Sequence, residues 1–336
     1  MGTAALRKLQ YGVEATHGLA VAATKMLPVA VPQIKTDRTP TFPRENAGVK
    51  ADAVRSYVSG MLVRDSLKFD TLYFQTLPML FSCGVKGDIT PAEQTGGQGD
   101  YLWDHGPEID ETSNEQNSLT IERGDDTFAV ETEYCMFERI KLSGVITQDG
   151  NDSSMKADAD YFGRQNTSAA FTGALTPQAG LTPVNAQLAR FYLDTSWGGV
   201  GGTEKTATLR SYDIEILTGL HPKFHGSGFE YFDTHGEGAL AIMAAFTFEG
   251  NANMAAIYSA WQAASLQVAR IKVTGPQIGT GEVHTLQIDL GGAWEQVIPL
   301  ASEDNGNDLW TAVLRGYASG GTDLMDIQVI TNLAAL

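Results

Sequence analysis

Apolar side chains along this chain recur mostly at every second position, which is the period of a half-buried β-strand. In the first half of the chain this alternation covers Val54–Val63, Ser118–Arg123 and Thr127–Val145. In the second half the segments with the same alternation are Arg190–Asp194, Leu209–Leu217, Leu240–Glu249, Val268–Thr274, His284–Leu290, Trp310–Tyr317 and Asp326–Thr331. The pattern predicts a mainly β protein.

Two segments have helical spacing instead. Leu67–Val85 places apolar residues three to four positions apart around Pro78, and Asn253–Ala264 does the same with Asn253 as a candidate N-cap. Each segment predicts a short amphipathic helix. The aromatic residues within them are therefore expected to pack in the core and not to hold a cofactor.

The order of these elements suggests two halves. Each half runs strand, helix, then two long strands, which favours a division into residues 1–168 and 169–336, with Gln148–Ala170 as the connection. The long segment Asp88–Asn117 is acidic, Gly-rich and aperiodic, so it is expected to be a loop. Whether the halves are duplicated β-sandwiches stays open at this point.

The first fifty residues look like an arm rather than a core segment. Prolines at 28, 32, 40 and 43 exclude helix and limit the intervening apolar pieces to edge strands or extended chain. Thr36–Asp52 is polar, turn-rich and mixed in charge, which predicts an exposed loop or hairpin. We expect that segment to be a docking element of the arm and hairpin region 1–52.

Four stretches of sequence resemble a known family when taken in order. They are RKLQYGVEATHGLAVAATKMLPV (Arg7–Val29), ETEYCMFERIKLSG (Glu131–Gly144), FYLD with LRSYDIEILTGLHPKFHGSG, and the C-terminal pattern from RIKVTGPQIGTGEVHTLQIDLGG to IQVITN (Arg270–Asn332). Together they are similar to the major tail tube proteins of bacteriophages with long, non-contractile tails. The order of the motifs carries the resemblance, because each is a strand-and-turn pattern without a chemical signature.

The resemblance implies a tail-tube β-sandwich or barrel with a flanking short α-helix. Subunits of that family form rings that stack into a virion tail tube, a conduit for double-stranded DNA that also holds the tape-measure protein. Tail terminator and tail-tip proteins are the implied partners, and assembly takes place in the host cytoplasm. A hexameric ring is favoured, and a trimer with pseudo-sixfold symmetry follows if both halves are tube domains. The resemblance implies no enzymatic activity and no cofactor.

Charge adds detail to this picture. The net charge of −17 does not favour nucleic-acid binding, since that affinity comes largely from cations that displace counterions. The charge is unevenly spread, because residues 1–87 carry a net charge of +5 and residues 88–133 a net charge of −12. A lumen lined by carboxylates would repel phosphates and let DNA slide. The lumen-facing candidates in the acidic block are Asp110, Glu111, Asp125, Asp126, Glu131 and Glu133, and an ordinary solvated surface is the alternative.

The basic N-terminal stretch offers a complement to this acidic block. Arg38, Arg44 and Lys50 lie in or beside the expected hairpin and are candidates for contacts between rings. Compensation of charge within one chain is the alternative.

Other chemistry-bearing residues point to structural roles. His221, His225 and His235 lie near Asp233 and Glu237, but their Gly-rich surroundings predict turn histidines in place of a zinc site. Trp197–Lys205 lacks the spacing of a phosphate loop and is expected to be a turn, while Cys83 and Cys135 lie in apolar stretches and are expected to be buried thiols. No signal peptide, membrane span, metal site or catalytic motif is evident in the sequence. The alternative function is an acidic β-sandwich binding or decoration module of a virion or cell surface.

Overall fold

The computed structural model of the chain describes residues 2–110, 112–147, 153–320 and 323–336. Within these ranges the chain forms twenty β-strands and two α-helices, α1 (Leu77–Ser82) and α2 (Met254–Gln262), which confirms the mainly β prediction. The strands are β1 (Lys8–Val13), β2 (Lys25–Met26), β3 (Arg38–Thr41), β4 (Tyr57–Met61), β5 (Val63–Phe69), β6 (Ala92–Glu93), β7 (Tyr101–Asp104), β8 (Leu119–Gly124), β9 (Ala129–Val145), β10 (Lys156–Gly163), β11 (Asn166–Ser168), β12 (Ala189–Asp194), β13 (Leu209–Leu217), β14 (Leu220–Lys223), β15 (Thr234–Glu237), β16 (Ala241–Glu249), β17 (Gln267–Gln277), β18 (Val283–Asp304), β19 (Asn307–Gly316) and β20 (Met325–Thr331).

Two antiparallel layers form the body of the molecule, and β18 belongs to both. Its first part pairs with β17 and β20, and β12 and β7 extend that layer on either side. Its second part pairs with β19, and the layer continues through β16, β13, β9, β10 and β5. A strand of 22 residues is long enough to bend from one layer into the other.

The apolar faces of the two layers share one core. Phe191 of β12 lies 5.2 Å, centroid to centroid, from both Phe246 and Phe248 of β16 in the opposite layer. Trp294, beyond the bend of β18, packs edge-on against the same two rings. Alternate positions of β13 and β16 are buried, as expected for strands with one face on the core.

A third, smaller sheet comprises β2, β1, β8, the first part of β9, and β11. The sheet bends at Tyr134, whose φ is +56°, because β9 has one residue more than β8 between their paired positions there. This bulge breaks the expected alternation. The consecutive residues from Tyr134 to Phe137 are all buried, and Phe128 lies before the strand with an exposed side chain.

Both predicted helices are present, but the first is much shorter than the pattern indicated. Val63–Phe69 continues as a strand paired with β10, and the helix begins only at Leu77. Every residue of this six-residue helix is buried, so its apolar character reflects full burial instead of one apolar face. The second helix matches its prediction within about two residues. Asn253 does not cap it, because its side-chain amide donates to Thr208 Oγ1.

The segment 88–117, expected to be a loop, contains β6 and β7. Trp103 on β7 is buried and its indole nitrogen donates to the carbonyl of Leu333 at 2.9 Å. A strand of four residues is too short to show a clear period in a sequence.

In the second half β16, α2, β17 and β18 follow one another in the predicted order, whereas in the first half β6 and β7 lie between α1 and the strands β8 and β9. Strands of both halves lie side by side in one hydrogen-bonded sheet, since β9 pairs with β13 and β7 pairs with β20. The division at residue 168 and the duplication remain predictions.

Candidate functional site

The hairpin β3–β4 stands apart from the sandwich as its own two-stranded sheet. Its connecting segment, residues 42–56, is exposed at all but two positions. An isolated two-stranded hairpin is marginally stable in water, because it buries little apolar surface. The expectation of an exposed loop or hairpin here is confirmed.

Large apolar side chains of this hairpin face solvent. They are Phe42, Val49, Val54 and Tyr57, with exposed fractions of 43–61 %. The loop that supports the hairpin adds Phe224 and Phe229, which are similarly exposed. A concentration of apolar side chains on an exposed element is typical of a surface that another protein covers. This apolar surface is hard to recognise in the sequence, because its residues are scattered through a turn-rich segment.

Only the base of the hairpin is fastened to the body. Met61 N donates to the carbonyl of Glu230 at 2.8 Å, and Leu62 N donates to that of Asp37 at the same distance. The Asp37 carboxylate in turn accepts from Asn166 N. The tip is therefore free to meet another molecule, while its point of departure is fixed.

The structure brings the three basic candidates to this one element. Arg38 lies on β3, and Arg44 and Lys50 lie in the connecting segment with exposed side chains. Arg44 pairs with Asp52 at 3.2 Å within the hairpin, so part of its charge is compensated inside the chain. The Arg38 guanidinium lies 3.9 Å from the Asp37 carboxylate.

The acidic candidates are dispersed. Asp125 and Asp126 lie in the tight turn between β8 and β9, where Asp125 Oδ1 accepts from the backbone of Thr127 and Phe128. These bonds lower the pKa of Asp125. Asp126 Oδ1 accepts from Thr3 N at 3.0 Å. Both carboxylates thus hold local backbone in place.

Glu131 and Glu133 lie two positions apart on β9 and flank the buried Thr132. Glu131 is directly opposite the buried Glu122 of β8. The pKa of Glu131 is raised, chiefly because the side chain is partly buried and to a smaller extent because the carboxylates of Glu122 and Glu14 are near. Burial also raises the pKa of Glu133, while Arg164, 3.8 Å away, opposes that rise. Four carboxylates therefore occupy one side of this sheet.

That side is partly covered by the segment 17–24. Glu14 accepts from Gly18 N, Ser118 Oγ, Thr120 Oγ1 and Tyr134 N, so its carboxylate is buried but fully hydrogen-bonded. Glu122 is bonded in the same way, by donors that include Ala23 N and Thr172. These two glutamates fasten the covering segment, a role that sequence patterns did not indicate.

Arg164 was also missed by sequence reasoning. Its guanidinium lies 4.8 Å from the ring centroid of Tyr134 and donates to the carbonyls of Gly18, Phe232 and Asp233. It joins the covering segment to the loop that supports the hairpin.

Asp110 is exposed in the loop that follows β7, where its carboxylate accepts from Thr112 N. Its neighbour Glu111 lies outside the described residues. The five described acidic candidates are thus divided among the loop after β7, the turn between β8 and β9, and β9 itself.

The histidines are placed in hydrogen bonds and ring contacts. His225 Nδ1 lies 2.8 Å from Asp233 Oδ1, and His235 Nδ1 lies 2.9 Å from the Tyr134 hydroxyl. Within the described part of the chain, no group of three or more His, Cys, Asp or Glu side chains is arranged to hold a metal ion.

The Gly-rich segment Trp197–Lys205 turns back on β12, with Lys205 N donating to the carbonyl of Phe191. Cys83 and Cys135 are buried free thiols, as predicted.

Neither helix of the described chain has the length and apolar character that crossing a membrane requires. No protein-family model matches the sequence, and no curated protein matches it. The features that bear on function are therefore the exposed hairpin, the carboxylates of the small sheet and the mainly β fold.

Proposed function

We propose that this chain is a structural virion protein that polymerises into stacked rings and forms the tube of a long, non-contractile phage tail. The observation that carries the proposal is the β3–β4 hairpin, with four large apolar side chains exposed on an element attached only at its base. Such an element gains stability when a neighbouring subunit covers it, which is the behaviour expected of an assembling protein.

The mainly β fold supports the proposal, since the antiparallel sandwich agrees with what the resemblance implies. The ring is proposed to be a hexamer, and double-stranded DNA to pass through its lumen without specific binding. Tape-measure, terminator and tail-tip proteins are the proposed partners, and the virion tail is the proposed location.

The lumen is proposed to include the side of the small sheet that carries Glu131 and Glu133. These side chains are partly exposed, whereas Glu14 and Glu122 on the same side of the sheet are buried. The carboxylates together would give this side a negative potential, because charges act more strongly in low-dielectric surroundings.

The test is assembly of the purified protein, followed by negative-stain electron microscopy and by light scattering coupled to size exclusion. The key variant replaces residues 42–56 with Asn-Gly, because Thr41 and Tyr57 are directly paired and a two-residue turn can close that ladder. We expect the wild type to form rings or tubes with a central hole. The shortened variant should remain monomeric with an unchanged circular dichroism spectrum.

A second variant, Phe42→Ser with Val49→Ser and Val54→Ser, removes the exposed apolar groups but keeps the hairpin. Its matched control is Leu19→Ser with Leu188→Ser, which removes apolar side chains of similar exposure elsewhere. Only the first is expected to block assembly. Wild-type protein that stays monomeric even with a tail-tip extract would refute the tube and favour a binding or decoration module.

A further inference from the structure

A groove of about 600 Å³ lies between the loop 108–114 and the segments 237–240 and 316–318. Ile109, Leu240 and Leu324 give it an apolar lining, and the exposed ring of Tyr317 stands at its rim. A groove of this size and lining can accommodate a few side chains from a segment of another protein chain.

The groove is acidic. Glu108, Asp110 and Glu237 contribute carboxylates, and none of the described residues that line it is basic. Lys86, from outside the lining, pairs with Glu108 at 2.9 Å. Asn114 and Gln116 donate amide hydrogens to Glu237 Oε1, which orients that carboxylate without neutralising it. Among the described residues that line the groove, Asp110 and Glu237 therefore carry the uncompensated negative charge.

The hairpin tip has the complementary character. Residues 38–61 carry four basic and two acidic side chains, and both acidic ones are paired within the hairpin, Asp52 with Arg44 and Glu45 with Arg55. Arg38, at the base of the hairpin, lies 3.9 Å from the Asp37 carboxylate, so the positive surplus of the tip falls on Lys50. Lys50 directly follows the exposed Val49, so the tip presents an apolar side chain beside a cation.

The hairpin base and the groove lie at opposite ends of the two-stranded sheet β14–β15. Phe224, just after β14, lies beside the hairpin base with Gly60 and Met61, whereas Glu237, at the end of β15, lines the groove. The tip points into solvent from the first of these ends. The natural occupant of the groove is accordingly the hairpin of another copy.

We infer that the hairpin tip of one copy, Val49 and Lys50 foremost, seats in the acidic groove of a second copy. Val49 contacts the apolar lining, and Lys50 pairs with Asp110 and Glu237. The inference rests on the proposed tube function and adds the receiving surface for its docking element. The contact joins two different surfaces of the same chain, so it can repeat from copy to copy.

A charge-reversal cycle tests the pairing. Lys50→Glu and Asp110→Lys should each raise the protein concentration needed for assembly by roughly tenfold, because each places like charges together. The double variant should return to within about threefold of the wild type, since the pair is restored in reverse. Lys50→Glu combined with Glu303→Lys is the control, because Glu303 is exposed on a different hairpin, and it should show no recovery.

A disulfide cross-link tests the proximity. Val49→Cys with Ala318→Cys places one thiol at the tip and one at the groove, while the native Cys83 and Cys135 are buried. Oxidised assemblies should give a ladder of linked chains on a non-reducing gel, and each single-cysteine variant should not.

The outcomes separate the two proposals. Wild-type tubes without charge coupling and without the ladder overturn the docking contact and leave the tube proposal standing. Absence of wild-type rings and tubes, even with a tail-tip extract, overturns the tube proposal. In that case the double-cysteine variant, oxidised at high protein concentration, tests the docking contact by itself. A ladder of linked chains supports the contact, and chains that remain monomeric refute it.

Discussion

Single carboxylates in this protein differ widely in how their charge is accommodated. Glu14 and Glu122 are buried, but each accepts several hydrogen bonds, which replaces the lost hydration. Asp326 on β20 is different. It lies opposite Asp289 and close to Asp104, and Arg270 makes its two hydrogen bonds, both 2.6 Å long, with Asp289 instead. Burial first, and then the two neighbouring carboxylates, raise the pKa of Asp326 to about 6.

The raised pKa predicts that this aspartate destabilises the fold at neutral pH. The folded state keeps its proton to about pH 6 and the unfolded chain only to about 3.8, so stability falls as pH rises through that window. Asp326→Asn removes the charge and leaves an amide that can donate to Asp104. We expect the free energy of unfolding at pH 8 to rise by about 1–2 kcal/mol, less than the full shift implies because the side chain is partly solvated.

Urea unfolding at pH 5 and pH 8 checks this expectation. The gain should be large at pH 8 and small at pH 5. Asp308→Asn, on an exposed position of β19, is the control for loss of one negative charge. An equal gain at both pH values would refute the assignment to Asp326.

At the scale of elements, the hairpin between β18 and β19 shows how a turn fixes a register. Asp304 pairs with Asn307, and the two residues between them have positive φ, +51° at Asn305 and +88° at Gly306. This Asn-Gly pair suits the two-residue turn whose twist matches that of its strands.

Gly306→Ala tests that role. A Cβ at Gly306 would meet no atom within 4 Å, so the whole cost comes from the backbone conformation. We expect a loss of about 1 kcal/mol in thermal or urea unfolding. Gly96→Ala is the matched control, because it is equally open but has no positive φ, and it should be neutral within about 0.5 kcal/mol. Equal effects of both substitutions would refute the argument.

Most strands could be predicted because each layer of the sandwich buries only one face, so the sequence of each strand alternates between apolar and polar residues. Leu209–Leu217 was predicted to the residue, and β12, β16, β17, β19 and β20 were predicted within a few residues. The strand β18 is longer than predicted, and β14 and β15, which carry His221 and His235, were wrongly expected to be turns. The length of the first helix was misjudged. The apolar residues at the end of strand β5 (Val63–Phe69) and those of the buried helix α1 (Leu77–Ser82) together imitate the spacing of one longer helix. The bulge at Tyr134 depends on pairing with β8, and no local pattern in β9 encodes it.

Of the two candidate surfaces, the hairpin could be predicted and the acidic groove could not, because only the hairpin is formed by one continuous segment. The hairpin could be predicted from prolines and turn residues between positions 36 and 52. The acidic groove could not, because it joins residues near 110, 238 and 317 that only the tertiary fold brings together.

At the scale of the whole molecule, the proposed assembly would repeat the effect of a single charged side chain. If rings form with Glu131 in the lumen, each ring repeats that side chain around the channel, and a substitution is multiplied by the number of subunits. Glu131→Lys replaces a carboxylate that already lies opposite Glu122, so the fold is expected to tolerate the cation.

We expect Glu131→Lys tubes to retain duplex DNA at low salt and release it as salt rises, whereas wild-type tubes retain none. Retention is measured by co-sedimentation of labelled DNA across a salt series. Glu204→Lys, at an exposed position in another loop, is the control and should retain no DNA in the channel. Tubes of Glu131→Lys that retain no DNA would place Glu131 outside the lumen.

The position of β20 has a consequence for timing. This strand lies between β18 and β7, and the Leu333 carbonyl holds Trp103 from the first half of the chain. At 5–20 residues per second, the ribosome makes residue 331 roughly 20–70 s after it makes residue 1. Until then β7 has no neighbour on that side and the sandwich stays unfinished. If the chain assembles as proposed, a nascent chain would not yet present a completed subunit surface, and chains on one polysome would be kept from joining before each has folded.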